Sequence, residues 1–386
     1  LYSSAASDVY KRQILLLLIE LVNVFEVIMK KIGLYIHIPF CKSKCPYCDF
    51  FSIKMNDEEM SRYVDKVIER FDKYCNDNIV LDTVYFGGGT PSTLGTERIA
   101  KILNVINDKF TVDKNAEITM EMNPTSKELI DFTVLKECGL NRLSIGMQSA
   151  VESEMKLLGR THSQEDVINT VNQAKKSGID NISLDLIIGV PTQTKESLKY
   201  SMDFCKSLNV KHISAYILKI EEGTKFYTIK DSLNMPSDDE QAEMYMYVSE
   251  YLESIGYNQY EISNYSLEGF ESKHNTKYWR CEEYIGIGPS AHSFYNGERF
   301  YYNRSFEEFY NDKTNFDCIG GTEEEFIMLN LRLKRGLIFK EYEEKYNKKF
   351  PEEIIKKTKI LEKAGLLTVD KEKVSLNRKG YLVSNA

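Results

Sequence analysis

The chain has 386 residues, enough for one large domain with an appendage or for two to three ordinary domains. Its 42% hydrophobic and 28% charged residues, with only 8 prolines, exclude collagen-like, low-complexity and broadly disordered readings. Fifty Lys and Arg against 58 Asp and Glu leave a net charge of −8, which excludes a chain-wide electrostatic footprint for nucleic acid, and eight cysteines are too dilute for a disulfide scaffold, so a reducing, cytoplasmic compartment is expected.

The apolar run 14–29 is interrupted by Glu20, Asn23 and Glu26 and falls short of the roughly 18–20 residues that cross a bilayer. No small-residue cleavage site follows it, so neither an integral membrane span nor a secretory signal is expected. Residues 3–13 resemble translated adaptor or vector sequence and Met29 reads as a natural start. Residues 1–28 are therefore expected to be a non-native or unstructured extension.

From residue 33 onward, short apolar runs alternate with segments of helical period. The pattern predicts strands at 33–38, 81–86, 116–121, 141–145, 181–187 and 212–216, with helices at 57–74, 96–109, 126–138, 163–177 and 195–207 between them. Ser126 and Ser163 stand at expected N-caps, and Gly139 and Gly178 just past expected helix ends. Six such units in an α/β chain predict a partial (β/α)6 barrel; an open doubly wound sheet is the alternative, and periodicity does not separate the two.

After residue 220 the alternation stops, which divides the chain into a core (29–220), an α+β extension (221–320) and a C-terminal piece (321–386). The extension predicts a helix over 237–254, a strand over 257–262 and β or loop structure over 284–302. The last piece predicts two or three helices before strands at 366–369 and 373–376, the order of a small winged helix. Its 15 basic and 11 acidic residues from 322 onward fit a packing appendage better than a nucleic-acid contact.

The chemistry begins directly after the first strand. Cys41, Cys45 and Cys48 lie in Pro39-Phe40-Cys41-Lys42-Ser43-Lys44-Cys45-Pro46-Tyr47-Cys48-Asp49-Phe50, and three thiolates so closely spaced can wrap one face of a metal centre. Structural zinc takes four ligands, and the nearest candidates for a fourth, His37 and Asp49, would make an improvised site. A cubane iron–sulfur cluster held by three cysteines keeps one iron open. Cys75, Cys138, Cys205 and Cys281 read as ordinary buried thiols.

Tyr35-Ile36-His37-Ile38-Pro39-Phe40 followed by these three cysteines closely resembles the radical S-adenosylmethionine (SAM) superfamily, and within it the branch that holds oxygen-independent coproporphyrinogen III oxidase and the haem chaperone HemW. The resemblance implies that Cys41, Cys45 and Cys48 hold a [4Fe–4S] cluster, that the amino and carboxylate groups of SAM chelate the fourth iron, and that the reduced cluster would cleave SAM to a 5′-deoxyadenosyl radical.

Further matches extend over about 190 residues. Gly87-Gly88-Gly89-Thr90-Pro91 follows the second strand, where glycines let the backbone approach a ligand and present N–H groups to a carboxylate. Glu121 ends the third strand, Gln148 follows the fourth, Arg160 sits in Leu158-Gly159-Arg160-Thr161, and Asp185 lies on the fifth. Taken singly, each has an ordinary reading as a turn, a solvated charge or a satisfied buried acid. Together, the cysteine loop, the glycine loop, Glu121 and Gln148 fall at the C-terminal ends of successive strands, with Asp185 within or near the end of the fifth, and in a parallel α/β sheet those ends converge on one mouth. By the resemblance, Tyr35, Gly88, Gly89, Thr90, Glu121, Gln148, Arg160 and Asp185 match SAM-contacting positions, and Tyr47 offers its ring or backbone to the adenine.

Two features choose among the branch's members. The oxidases carry another cysteine two residues after the third ligand, and here that position is Phe50. His274-Asn275-Thr276-Lys277-Tyr278-Trp279 contains the chain's one Trp and matches a motif that the resemblance associates with haem: His274 as an axial ligand, with Asn275, Tyr278 and Trp279 beside it. Without the resemblance, a helix packing its aromatic face on the core is the better reading. The expected function is a haem chaperone that binds a [4Fe–4S] cluster, SAM and haem and passes haem to an acceptor protein, with membrane contact only peripheral and through that acceptor. The alternatives are oxidative decarboxylation of coproporphyrinogen III and a zinc-stabilised binding module.

Overall fold

The alternation read from the sequence forms six parallel strands: β1 (Lys30–Ile38), β2 (Ile79–Gly88), β3 (Thr111–Met122), β4 (Arg142–Gln148), β5 (Asn181–Ile188) and β6 (His212–Ile217). The computed structural model describes residues 29–75, 78–124 and 130–384, so the expected extension 1–28 and the Ser126 cap lie outside the described residues. The strands lie side by side in chain order with no reversal. A doubly wound sheet reverses its order at a switch point, so the consecutive order decides for the partial barrel.

The crossovers carry the helices Asp57–Phe71, Thr96–Lys109, Phe132–Glu137, Gln164–Lys176 and Lys195–Ser207. Ser163 caps the fourth of these in a capping box with Asp166, and Gly139 and Gly178 adopt φ of 109° and 84° just past two helix ends. The third helix begins later than expected, because the Asp131 carboxylate accepts the backbone N–H groups of Thr133 and Val134.

Side chains alternate across each strand, and here the two faces differ in kind. Ile32, Leu34, Ile36 and Ile38 of β1, Val84 and Phe86 of β2, Leu143, Ile145 and Met147 of β4, and Leu184 and Leu186 of β5 belong to the hydrophobic core under the helices. The opposite face carries Tyr35, Tyr85, Glu121, Arg142, Ser144, Asp185 and Ser214. A parallel sheet covered on both faces ordinarily reads apolar on both; a polar inner face marks the inside of this barrel as a binding space.

The extension widens the sheet to twelve strands. The pair β7 (Asn258–Gln259) and β8 (Asn264–Ser266) adds antiparallel to β6, whereas β9 (Tyr284–Ile287) runs parallel to β1 and is followed by β10 (His292–Tyr295), β11 (Glu298–Tyr302) and β12 (Thr314–Ile319). The strand expected over 257–262 is only two residues long, while β8 and β12 had no clear signal. The helix Asp238–Ser254 forms as expected behind its Ser237 cap. In the C-terminal piece the helices Glu323–Asn330, Phe339–Tyr346 and Glu352–Lys363 surround a second sheet in which β13 (Leu337–Ile338) joins the hairpin of β14 (Leu367–Val369) and β15 (Lys373–Leu376). Among the expected buried thiols, Cys205 and Cys281 are buried, but Cys75, in the turn beyond the helix that ends at Phe71, and Cys138, at a helix C-cap, are only half-buried.

Candidate functional site

A cavity of about 500 Å³ opens at the C-terminal ends of the six strands, within the range of small-molecule sites. Cys41, Cys45 and Cys48 line it, together with Tyr47, Gly88, Gly89, Thr90, Glu121, Gln148, Arg160 and Asp185. The loop that carries the cysteines is anchored by short contacts: Cys41 N–H donates to Ile53 O at 3.1 Å, Ile53 N–H to Pro39 O at 2.8 Å, and Cys48 N–H to Cys45 O at 3.2 Å.

The thiols form a donor set rather than a converged single-ion site. Among the described residues no three His, Cys, Asp or Glu side chains gather tightly enough for one ion. Burial pushes the Cys48 thiol up, and the neighbouring Cys45 and Cys41 push it further. Three soft sulfurs on one short loop suit a positively charged centre between them. The zinc alternative lacks its fourth ligand: His37 bonds through Nδ1 to the Tyr35 hydroxyl at 3.0 Å and through Nε2 to Phe51 O at 3.2 Å, and Asp49 pairs with Arg304 at 3.1 Å.

The glycine loop does something other than offer free N–H groups. Gly89 N–H donates to Ile38 O at 2.9 Å, Thr90 N–H to Phe40 O at 2.8 Å, and Gly88 N–H to the Glu121 carboxylate at 3.2 Å. The loop is thereby stitched to β1, and its ligand-facing group is the Thr90 hydroxyl, which lies 3.4 Å from Cys41 Sγ and accepts from Asn123 at 3.0 Å. Gly88 is required there: its φ is +107°, and a Cβ would stand 2.6 Å from the His37 ring.

Glu121 also accepts from the Tyr85 hydroxyl at 2.8 Å, and burial, reinforced by Asp185, raises its pKa to about 7. Asp185 accepts from Ser144 at 3.1 and 3.2 Å and from Ser183 at 3.4 Å, and burial raises it too. Gln148 adopts φ of 70° where the β4–β5 register slips, so strain aims it into the cavity. Arg160 crosses the mouth, donating to Gly146 O at 3.0 Å and to Cys45 Sγ at 3.5 Å. A Cβ at 146 would stand 2.8 Å from both Arg160 Nη2 and Gln148 Nε2, so a larger residue there would displace these two side-chain ends. Tyr47 leans on a small apolar cluster of Leu158, Ile187, Val190, Leu218 and Phe226 beside the mouth.

Tyr35 does not line the cavity. Its hydroxyl is turned onto His37, and its ring stacks on Tyr85 at 6.2 Å. The haem-type motif is split as well. The helix Lys273–Trp279 inserts into the barrel, and its backbone N–H groups at 273 and 274 donate to the Glu117 carboxylate of β3 at 3.0 Å each. His274 is 0% exposed; Nδ1 bonds to Thr83 Oγ1 and Nε2 to the Tyr278 hydroxyl, each at 2.8 Å, and the ring stacks 5.0 Å from Tyr85. Burial lowers its pKa to about 3. Asn275 reaches the cavity, whereas Tyr278 packs on Tyr284 at 4.5 Å and Trp279 lies 4.4 Å below the Arg332 guanidinium.

Sequence reasoning missed Arg142, Tyr85, Ser144, Ser214 and Tyr216, all of which line the cavity. Their signal was the spacing of polar residues two apart in strands that should be buried: Thr83-x-Tyr85, Arg142-x-Ser144-x-Gly146, Ser183-x-Asp185 and His212-x-Ser214-x-Tyr216. Arg142 is 1% exposed and is balanced by Glu117 at 3.9 Å.

Residues 35–205 match the Radical SAM superfamily and residues 324–383 the HemN C-terminal domain. The heme chaperone HemW of Lactococcus lactis is 34% identical over 91% of this chain and 94% of its own. HemW of Bacillus subtilis is 34% identical over 91% and 96%. Coproporphyrinogen III oxidase (HemN) from Escherichia coli superposes with a TM-score of 0.78 over 92% of this chain and 88% of its own, at 21% identity, a likeness of fold. The chain therefore belongs to the HemW family of heme chaperones within the radical SAM superfamily.

Proposed function

We propose that the protein is a haem chaperone built on a radical SAM core, which binds a [4Fe–4S] cluster, SAM and haem and hands haem to an acceptor protein. The observation that carries this reading is the 34% identity to HemW over nine-tenths of the chain. In the proposal Cys41, Cys45 and Cys48 hold the cluster, which when bound supplies redox chemistry and one open coordination position.

The rest falls to the chain's own residues. Thr90 and Arg160 flank two of the cysteine sulfurs and orient what enters between them. Glu121 and Asp185 accept from the hydroxyl or ammonium donors of the ligand, Gly88, Gly89 and Gln148 shape the walls, and Tyr47 closes the apolar side. Tyr35 acts from behind, by holding His37 and Tyr85. Phe50 lines the mouth 65% exposed and brings no sulfur, which speaks against the oxidase alternative.

Haem is assigned to His274, with Asn275, Tyr278 and Trp279 beside it. Both nitrogens of the His274 ring are engaged, by Thr83 and Tyr278, so His274 would hold haem only in exchange for one of those hydrogen bonds. The location is read as cytoplasmic, with membrane contact only through the acceptor; among the described residues no helix is long and apolar enough to cross a membrane.

The test is haem titration of the anaerobically purified chain, followed in the Soret band, against His274→Ala. At least about ten-fold weaker binding is expected. Unchanged affinity would remove His274 from the haem site, and turnover of coproporphyrinogen III with SAM and reductant would overturn the chaperone reading.

A further inference from the structure

The helix Lys273–Trp279 occupies a place that a surface haem site does not need: it closes the base of the barrel directly under the cavity. Three contacts fix it there, to Glu117, Asp82 and Thr83. Its first N–H groups end on Glu117, Lys277 is buried against Asp82 at 2.8 Å, the His274 imidazole bridges Thr83 of β2 and Tyr278, and Asn275 forms part of the cavity lining. Above the imidazole lies the Tyr85 ring, 5.0 Å away and within 24° of parallel, and the Tyr85 hydroxyl is the closest donor to Glu121.

We propose that this helix is the floor of the SAM cavity and that His274 is a positioning residue for it, acting through Tyr85 on Glu121. The inference rests on reading the cavity as the SAM site and is independent of haem. Its physical content is simple. Without the imidazole, Tyr85 loses the nearer of its two stacked rings and keeps Tyr35 at 6.2 Å, so its hydroxyl is aimed less firmly, and a buried carboxylate that loses its hydrogen-bond donor loses stabilisation of its ionised form. The imidazole stays neutral in this role, because burial disfavours its charged form and Lys277 and Arg142 add to that. The groups that face Glu121 are Tyr85, Gly88 N–H, Asp185 and Arg142, with Tyr35 and Tyr278 further off.

The test uses the full chain with its cluster reconstituted. SAM affinity is measured by equilibrium dialysis across pH 5.5–9 for the wild type and for Tyr85→Phe, His274→Ala, His274→Phe and Glu121→Ala. Tyr85→Phe, which removes one oxygen atom, is expected to weaken SAM about ten-fold and to move the pH midpoint of binding upward from about 7, because the lost donor favoured the carboxylate. His274→Ala should do the same, and His274→Phe, which keeps a ring under Tyr85, should restore affinity to within about three-fold of wild type. A general loss of packing would lower affinity without shifting the midpoint. Wild-type affinity and midpoint in Tyr85→Phe, with Glu121→Ala impaired, would overturn the positioning role. If His274→Ala does not hold its cluster, Tyr85→Phe decides. Wild-type affinity in Glu121→Ala would overturn the site reading itself.

Discussion

Replacing Gly88 by alanine tests how the cysteine loop is held. The residue has φ of +107°, a conformation that L side chains rarely adopt, and its new Cβ would stand 2.6, 2.7 and 2.8 Å from three atoms of the His37 ring. The ring has no room to yield, because Nδ1 is held by Tyr35 and Nε2 by the carbonyl of Phe51, three residues after the last cysteine. Relief therefore means backbone strain of about 1–3 kcal/mol together with a buried hydrogen-bonding group left unpaired at about 1–3 kcal/mol. Gly88→Ala should thus cost about 2–6 kcal/mol in a urea titration and lower the iron retained per chain after anaerobic reconstitution. In the double variant Gly88→Ala with His37→Ala the clash has no partner, so the two costs should fall short of additivity by at least about 1 kcal/mol. A cost below about 1 kcal/mol for Gly88→Ala, or strict additivity in the double variant, would refute the account.

Two more outcomes follow from burial. Glu121 has a folded-state pKa of about 7 against the ordinary 4.5, so the stability it contributes is fully present below pH 4.5 and is lost as pH rises through 7. Cofactor-free Glu121→Gln should accordingly gain about 2–3 kcal/mol on the wild type between pH 5 and pH 8 in paired urea titrations, and parallel pH curves would contradict the shift. Leu143, fully buried on the helix-facing side of β4, should cost about 2–5 kcal/mol when cut to alanine, read as a shift in the urea midpoint at constant slope.

The barrel was legible because its strands are short apolar runs bounded by helix caps, and the three cysteines because so tight a spacing has few uses. What stayed hidden was the division of labour between strand faces. Arg142 reads in sequence as the polar start of a strand, and its place at the cavity depends on the register that sets it beside Thr119 of β3 and Asn181 of β5. The choice between barrel and doubly wound sheet is a matter of strand order, which local periodicity does not carry. The motif around His274 was visible as a pattern, but its pattern does not say which side of the chain it faces. Only Thr83, nearly two hundred residues away in sequence, turns the imidazole inward.

One imidazole faces one direction at a time. If His274 both steadies Tyr85 and ligates iron in haem, the two states exclude each other, and thermodynamic reciprocity then applies: whatever factor SAM imposes on haem affinity, haem imposes on SAM affinity. A chaperone wired in this way would release its cargo when the nucleotide arrives, by mutual antagonism alone.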